Sequence, residues 1–308
     1  MDMYQKRKIR AEKKKDDSKK SLPSVGINWF PGHMAKTEKK LKEDLKKVDI
    51  VAEIVDARIP LSSRNPDLNS IISGKPRLLV INKSDLSDSV QNKSWSNYFE
   101  NFGIDICFFS CKDNKSPVIF KSKVKEVLKD KIDAWKKRGI LNQNIKVMVV
   151  GIPNVGKSTF INKLSKNSKA KVENRPGVTR QNQWFSAGDG IEILDTPGVL
   201  WPKFQSNEVA YNLAFTGAIK DEILDIEDMA SNLLDVLIKN YEKNLLERYK
   251  LDKNISDGMS GYELLKYIGK KRGMVISAGE IDTLRAANMV LDEFRSGKLG
   301  KITLEIPK

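Results

Sequence analysis

VINKSD, residues 80–85, stands upstream of GIPNVGKS, residues 151–158. The order of these two stretches decides the topology of the chain. GIPNVGKS follows the apolar run KVMVV and precedes TFINKLSK, a stretch with helical character. A Gly-x4-Gly-Lys-Ser loop between a strand and a helix wraps a polyphosphate: glycines let backbone N–H groups point inward, and the helix turns its N-terminus toward the anion. Asn154, Val155, Gly156, Lys157, Ser158 and Thr159 are therefore candidate nucleotide-binding residues. Lys157 is suited to the β- and γ-phosphates and counts as a catalytic candidate, and the Ser158 hydroxyl is suited to magnesium.

Further on, Asp195-Thr196-Pro197-Gly198 ends the apolar run IEIL. Asp195 is a candidate magnesium ligand, acting through water, and the Gly198 N–H a sensor of the γ-phosphate. Asp195 lies 37 positions beyond Ser158, the usual reach to a neighbouring strand. Between them, Pro176-Gly177-Val178-Thr179 places a hydroxyl on a loop, and Thr179 is the candidate switch residue for magnesium and catalysis.

The earlier stretch supplies the other half of a nucleotide site. Asn82-Lys83-Ser84-Asp85 follows the run LLVI. The Asp85 carboxylate can accept from both N1–H and N2–H of guanine, a pair that adenine lacks. The Asn82 amide can meet the other edge of the base, and the Lys83 stem can lie along its face. Ser110-Cys111-Lys112 follows the run ICFF and has the form of a second base-contacting loop, with Cys111 where Ala is usual. GTP and GDP are thus the expected ligands.

Each block of motifs keeps its internal order, and only the blocks are exchanged. A circular cut through a fold whose termini lie close together produces this without moving a strand. INWFPGHMAK (27–36), VDIVAEIVDARIP (48–60), NKSD, GIPNVGKS, RPGVTR (175–180), LDTPGVLWP (194–202) and LAFTGAIKD (213–221) together resemble the circularly permuted GTPases. The resemblance runs from residue 27 essentially to the end. It implies GTP hydrolysis during maturation of the large ribosomal subunit, with the precursor particle and its rRNA as partners.

Val199 occupies the position where many GTPases carry a water-orienting Gln, and an apolar side chain cannot hold water. His33, the chain's only histidine, lies in the turn-like Phe30-Pro31-Gly32-His33. An imidazole can position or deprotonate water near neutral pH, and the resemblance also points to His33 as catalytic. A surface or capping histidine is the structural alternative. The resemblance further implies that Asn154 helps to hold a potassium ion; an Asn satisfying the loop backbone is the alternative.

The chain has 308 residues, 40% of them hydrophobic, enough for one large domain or two ordinary ones. Lys and Arg outnumber Asp and Glu by 55 to 40, a net charge of +15 that favours a polyanionic partner. No apolar run reaches the ~18 residues of a membrane span, and no hydrophobic leader core follows the start. Cys107 and Cys111, too few for a zinc site, read as reduced thiols. A monomer in the cytoplasm is expected.

Residues 1–22 are dominated by Lys and Arg and are expected to be a disordered basic extension. Short apolar runs at 50–55, 78–81, 104–109, 145–150 and 192–194, with helical stretches between them, predict an α/β fold over residues 23–205. That unit is a mostly parallel, doubly wound sheet with ligands at the carboxyl ends of its strands. Residues 206–308 predict a small all-helical domain, with helices over 227–250, from a Ser260–Glu263 capping box, and over 280–294. Lys266, Lys270, Lys271, Arg272, Arg285, Arg295, Lys298 and Lys301 on it are candidates for rRNA contacts. Two rival readings stand beside the GTPase: a nucleotide-gated RNA-binding scaffold with incidental hydrolysis, and a mitochondrial counterpart.

Overall fold

The computed structural model describes residues 39–72, 74–140, 143–165, 183–198, 204, 206–252, 258–276 and 279–307. His33, Thr179, Val199 and the basic extension lie outside them.

Six strands form one sheet in the order β3-β2-β1-β4-β6-β5. They are β1 (Ile50–Asp56), β2 (Arg77–Asn82), β3 (Ile106–Phe109), β4 (Ile145–Val150), β5 (Gln183–Gly188) and β6 (Ile191–Asp195). The five runs expected as strands are all strands and pair in parallel. All seven residues of β1 are buried, as an inner strand covered on both faces requires.

β5 was not anticipated. It runs antiparallel to β6 at the edge of the sheet. Trp184 and Ser186 point out while Phe185 and Ala187 point in, so a period-two signal exists. It is short, and the following Asp189 and Gly190, both at positive φ, turn straight back into β6.

The chain goes from β1 outward through β2 to β3, then returns to lay β4 on the other side of β1. The order therefore reverses between β1 and β4. In an open parallel sheet that reversal opens a crevice at the strands' carboxyl ends.

Helix α1 (Ser89–Asn101) begins at Asp88, whose side chain accepts from the Val90 N–H. The stretch between β3 and β4 holds two helices, α2 (Ser116–Val127) and α3 (Lys129–Lys137), separated at Leu128. α4 (Lys157–Leu164) starts directly from the phosphate loop. Phe160 on α4 packs edge-on against Phe109 and Phe120 at ring-centroid distances of 4.6 and 5.0 Å, fixing α4 to the sheet.

Beyond residue 206 the described chain is mostly helical, up to residue 296: α5 (Asn207–Phe215), α6 (Ile226–Tyr249), α7 (Gly261–Lys271) and α8 (Thr283–Ser296). The Ser260–Glu263 capping box is present. α8 starts three residues later than expected, because a bridge between Val275 and Ile281 precedes it and Asp282 supplies its N-cap. α7 shows why these helices stay together. Leu264, Leu265 and Ile268 are fully buried at helical spacing while Lys266 and Lys270 are exposed. Each such apolar side chain contributes about 1.5–3 kcal/mol on burial. A single apolar cluster continues from Val147, Val149 and Phe160 of the sheet side to Leu233, Ile268 and Phe294 of these helices.

Candidate functional site

The strand register brings the motifs to one edge. Asp56 is level with Asn82, and Asn82 with Phe109. On the other side of the crevice Val149 is level with Asp195. The loops carrying the tetrad, Ser110-Cys111-Lys112, the phosphate loop and Asp195–Gly198 therefore all leave the carboxyl edge of the sheet.

The two halves of the predicted site touch. The Asn82 amide Nδ2 donates to the Val155 carbonyl at 2.8 Å, across 73 positions of sequence. The Lys83 Nζ donates to the Asn154 carbonyl at 2.7 Å and to Asp56 Oδ2 at 2.9 Å. Gly156 adopts φ +93°, and a Cβ there would lie 2.6 Å from Asn82 Nδ2; only glycine lets the loops close to this distance. Lys83 and Asn154 are themselves held at φ 58° and 60°. These are left-handed backbones that cost non-glycine residues energy and cluster at functional loops.

Asp85 is partly exposed and faces the second loop. Ser110 Oγ donates to its Oδ1 at 2.8 Å, and Lys112 Nζ lies 2.9 Å from its Oδ2. Burial pushes this carboxyl up, but Lys112 and Ser110 more than offset it, so Asp85 ionises below the usual carboxylate range. A carboxylate held ionised and half open to solvent is an acceptor ready for a paired N–H edge. Burial and the nearby Asp85 charge raise the Cys111 thiol, and burial pushes Cys107 up to about 12, so both stay neutral thiols.

Lys157 is buried, and its Nζ donates to the loop's own carbonyls, Gly151 at 3.1 Å and Ile152 at 2.8 Å. Burial lowers its pKa to about 8, with Asp195 pulling the other way. Gly198 packs directly against Lys157 and Pro153, so the Asp195–Gly198 turn closes over the phosphate loop. Ser158 is in the first turn of α4 and half-buried; Asp195 is buried at the end of β6. A hydroxyl and a carboxylate beside the cradle are hard oxygen donors, the kind that magnesium prefers. Among the described residues no cluster of three or more His, Cys, Asp or Glu side chains forms a separate metal site.

The comparisons with known proteins agree with this geometry. A family model described as 50S ribosome-binding GTPase matches residues 146–257. Ribosome biogenesis GTPase A of Bacillus cereus is 46% identical over 282 residues, covering 92% of this chain and 94% of the relative. This chain belongs to the ribosome biogenesis GTPase A family. The Bacillus licheniformis member is 43% identical over 92% of this chain and 99% of its own. Mitochondrial ribosome-associated GTPase 1 of Xenopus tropicalis is 33% identical over 90% of this chain. A solved structure of GDP-bound TM YlqF superposes with a TM-score of 0.65 at 25% identity, covering 87% of this chain and 99% of that one. The GNP-bound YlqF of T. maritima gives a TM-score of 0.62. The protein is thus a GTPase with a permuted motif order, a mostly parallel sheet and a helical C-terminal part.

Two residues of this GTPase's site were missed by motif reasoning. Asp56, at the end of β1, accepts from Arg58 Nε at 2.9 Å, Arg58 Nη2 at 2.8 Å, the Arg58 N–H at 3.0 Å and Lys83 Nζ. Burial alone would raise its pKa, but Arg58 and Lys83 hold it far below the usual range. Burial in turn lowers Lys83, with Asp56 offsetting part of that. This buried cluster anchors the tetrad lysine to the phosphate loop. Its signal is Asp56-Ala57-Arg58 at the end of a strand whose run is otherwise apolar but for Glu53, where two opposite charges are expected to pair.

Asp56→Asn should therefore destabilise the protein by about 3–5 kcal/mol, the cost of leaving buried Arg58 and Lys83 without their carboxylate. Urea unfolding at neutral pH measures this. The pH dependence follows the sign of the shift: the contribution is complete above the unfolded carboxyl range and is lost as pH falls through the depressed folded value. Lys157 gives a second expected result. In nucleotide-free protein its ¹⁵N-labelled Nζ should titrate near pH 8, and GDP with magnesium should move the titration upward by placing negative charge beside it. A midpoint unaffected by GDP would place the phosphates elsewhere.

Proposed function

We propose that this GTPase acts in late assembly of the large ribosomal subunit. In this reading it binds the precursor particle and its rRNA in the GTP state and couples nucleotide state to release. The observation that carries it is the direct contact of the tetrad with the phosphate loop, beside a helical region that exposes basic side chains. The relatives' names link this architecture to ribosome biogenesis.

In the bound state Asp85 accepts the N1–H and N2–H edge of guanine, and the Cys111 backbone faces its other edge. The N–H groups of Asn154, Val155, Gly156, Lys157, Ser158 and Thr159 surround the phosphates. The Lys157 ammonium turns from the loop carbonyls to the β- and γ-phosphate oxygens. Ser158, Asp195 and Thr179 would hold magnesium, which neutralises charge developing on the transferred phosphoryl group. Gly198 donates its N–H to the γ-phosphate, and His33 orients the attacking water in place of Val199.

Asn154 would hold potassium. Its Nδ2 donates to the Gly217 carbonyl at 2.5 Å, which leaves the side-chain oxygen as the atom suited to a cation.

Residues 206–308 would face rRNA through Lys266, Lys270, Lys271, Arg272, Arg285, Lys298 and Lys301, all exposed. Arg295 is withdrawn from that set: it donates to Asp221 at 2.7 and 2.8 Å and to the Phe215 and Ala214 carbonyls. The protein would work in the cytoplasm as a monomer. Among the described residues no helix is long and apolar enough to cross a membrane.

Co-sedimentation with large-subunit precursors tests this reading. Binding should be stronger with a non-hydrolysable GTP analogue than with GDP, and turnover should rise when particles are added. Identical binding in both states with no stimulation would overturn it.

A further inference from the structure

Residues 299–305 follow α8 and run back across the GTPase part of the molecule. The Ile302 N–H donates to the Leu86 carbonyl at 2.9 Å, and the Asp88 N–H donates to Thr303 Oγ1 at 3.0 Å. Both partners belong to the loop that carries Asp85. Gly297, at φ +78° at the end of α8, approaches Leu86 so closely that a Cβ would lie 2.6 Å from Leu86 Cδ2.

The same segment is fastened on its other side. The Leu304 N–H donates to the Arg58 carbonyl at 2.8 Å, and Trp95 Nε1 to the Glu305 carbonyl at 3.2 Å. The half-buried Glu305 carboxylate accepts from the N–H groups of Leu61 at 2.7 Å and Ser62 at 2.9 Å, and also from Ser62 Oγ and Asn212 Nδ2. Tyr241 on α6 brackets Thr303, donating its hydroxyl to the Thr303 carbonyl at 2.9 Å and accepting the Thr303 N–H at 3.0 Å. Ile302 and Thr303 are buried.

We infer that residues 299–305 form a strap that positions the base-reading loop, with Thr303 as a positioning residue for guanine selectivity. Within itself the tetrad loop has a Leu86 N–H to Lys83 carbonyl turn and the Ser87 hydroxyl to Ser84, and Ser84 is tied to the Phe109 carbonyl by its N–H at 3.2 Å and its Oγ at 3.1 Å. The strap supplies two hydrogen bonds and an apolar stop from the far end of the chain. Asp85 must present two oxygens to two N–H groups at once, so a small rotation of this loop costs selectivity before it costs phosphate binding. The inference rests on the guanine-reading role proposed for Asp85.

The test compares affinity for GTP and ITP, whose base lacks the 2-amino group and so forfeits one of the two bonds to Asp85. Wild type should prefer GTP about tenfold. Asp85→Asn should abolish that preference; if it does not, the guanine reading itself fails. Given that control, Thr303→Val, nearly the same shape without the acceptor, should lower the GTP/ITP ratio about three- to fivefold. Thr303→Ser should restore it, and amide exchange at Asp88 should quicken in the valine variant only.

Should Thr303→Val not fold, Glu305→Gln, which weakens the far anchor, carries the same expectation of a lowered ratio. Ile306→Ala, at a 64% exposed side chain, should leave the ratio unchanged. An unaltered ratio in the strap variants, with or without a uniform loss of affinity for both nucleotides, would overturn the inference.

Discussion

Asp85→Asn should cost GTP affinity about 10²–10⁴-fold and turn the protein toward xanthosine triphosphate. Two hydrogen bonds to a charged acceptor contribute about 1.5–3 kcal/mol each, and an amide cannot accept both guanine donors. The asparagine nitrogen instead donates to the carbonyl that xanthine carries in place of the 2-amino group. Asp85 is not a fold element: it is partly exposed, and its partners are Ser110 and Lys112. Thermal stability of the nucleotide-free variant should therefore stay near wild type, since an exposed pair such as Lys112–Asp85 contributes about 0–1 kcal/mol. Titration with fluorescent GTP and XTP analogues, alongside a melt, separates the two effects. Equal loss for both nucleotides would contradict the assignment.

Lys157→Ala should lower the hydrolysis rate by about 10²–10³-fold, the usual loss when one preorganised charge donor to a transition state is removed. The opposite sign is expected for the empty protein. Its buried ammonium donates to two loop carbonyls, and burial disfavours its charge more than the nearby Asp195 favours it. Removing it should leave the nucleotide-free melting temperature unchanged or raised. GDP with magnesium should then raise the melting temperature of wild type far more than that of the variant. Single-turnover hydrolysis and paired melts measure both halves. A variant that lost activity only because it unfolded would contradict this account.

These predictions draw on chemistry that was legible in the sequence because it is local. A phosphate loop needs its glycines, lysine and hydroxyl within one turn, and a base-reading carboxylate needs a strand just before it. Gly151–Ser158 and Asn82–Asp85 both met those conditions, and the inverted order of the two stretches implied the permutation. The buried strands were equally legible, since β1, β2, β4 and β6 read as nearly continuous apolar runs.

What escaped depends on contacts between distant residues. Nothing in Asp56-Ala57-Arg58 announces that Lys83 completes the cluster, or that Arg58 also stacks on Phe294 at 5.0 Å. Arg295 read as one more surface cation; only the fold shows it folded onto Asp221. Residues 299–305 have no regular period because their hydrogen bonds go to other elements, several of them more than 200 positions away. β5 was obscured by its Ser and Gly content and by a hairpin turn that left its alternation too short to stand out. His33 and Thr179 lie outside the described residues, so their roles rest on the motifs alone.

A crystal structure with a non-hydrolysable GTP analogue and magnesium would bear most directly on all of this. One nucleotide should be found with its guanine N1 and N2 within ~3 Å of the Asp85 carboxylate and its β- and γ-phosphate oxygens within ~3 Å of Lys157 Nζ. A base bound away from Asp85, or phosphates bound away from Lys157, would contradict the claim that these two inverted segments build a single site.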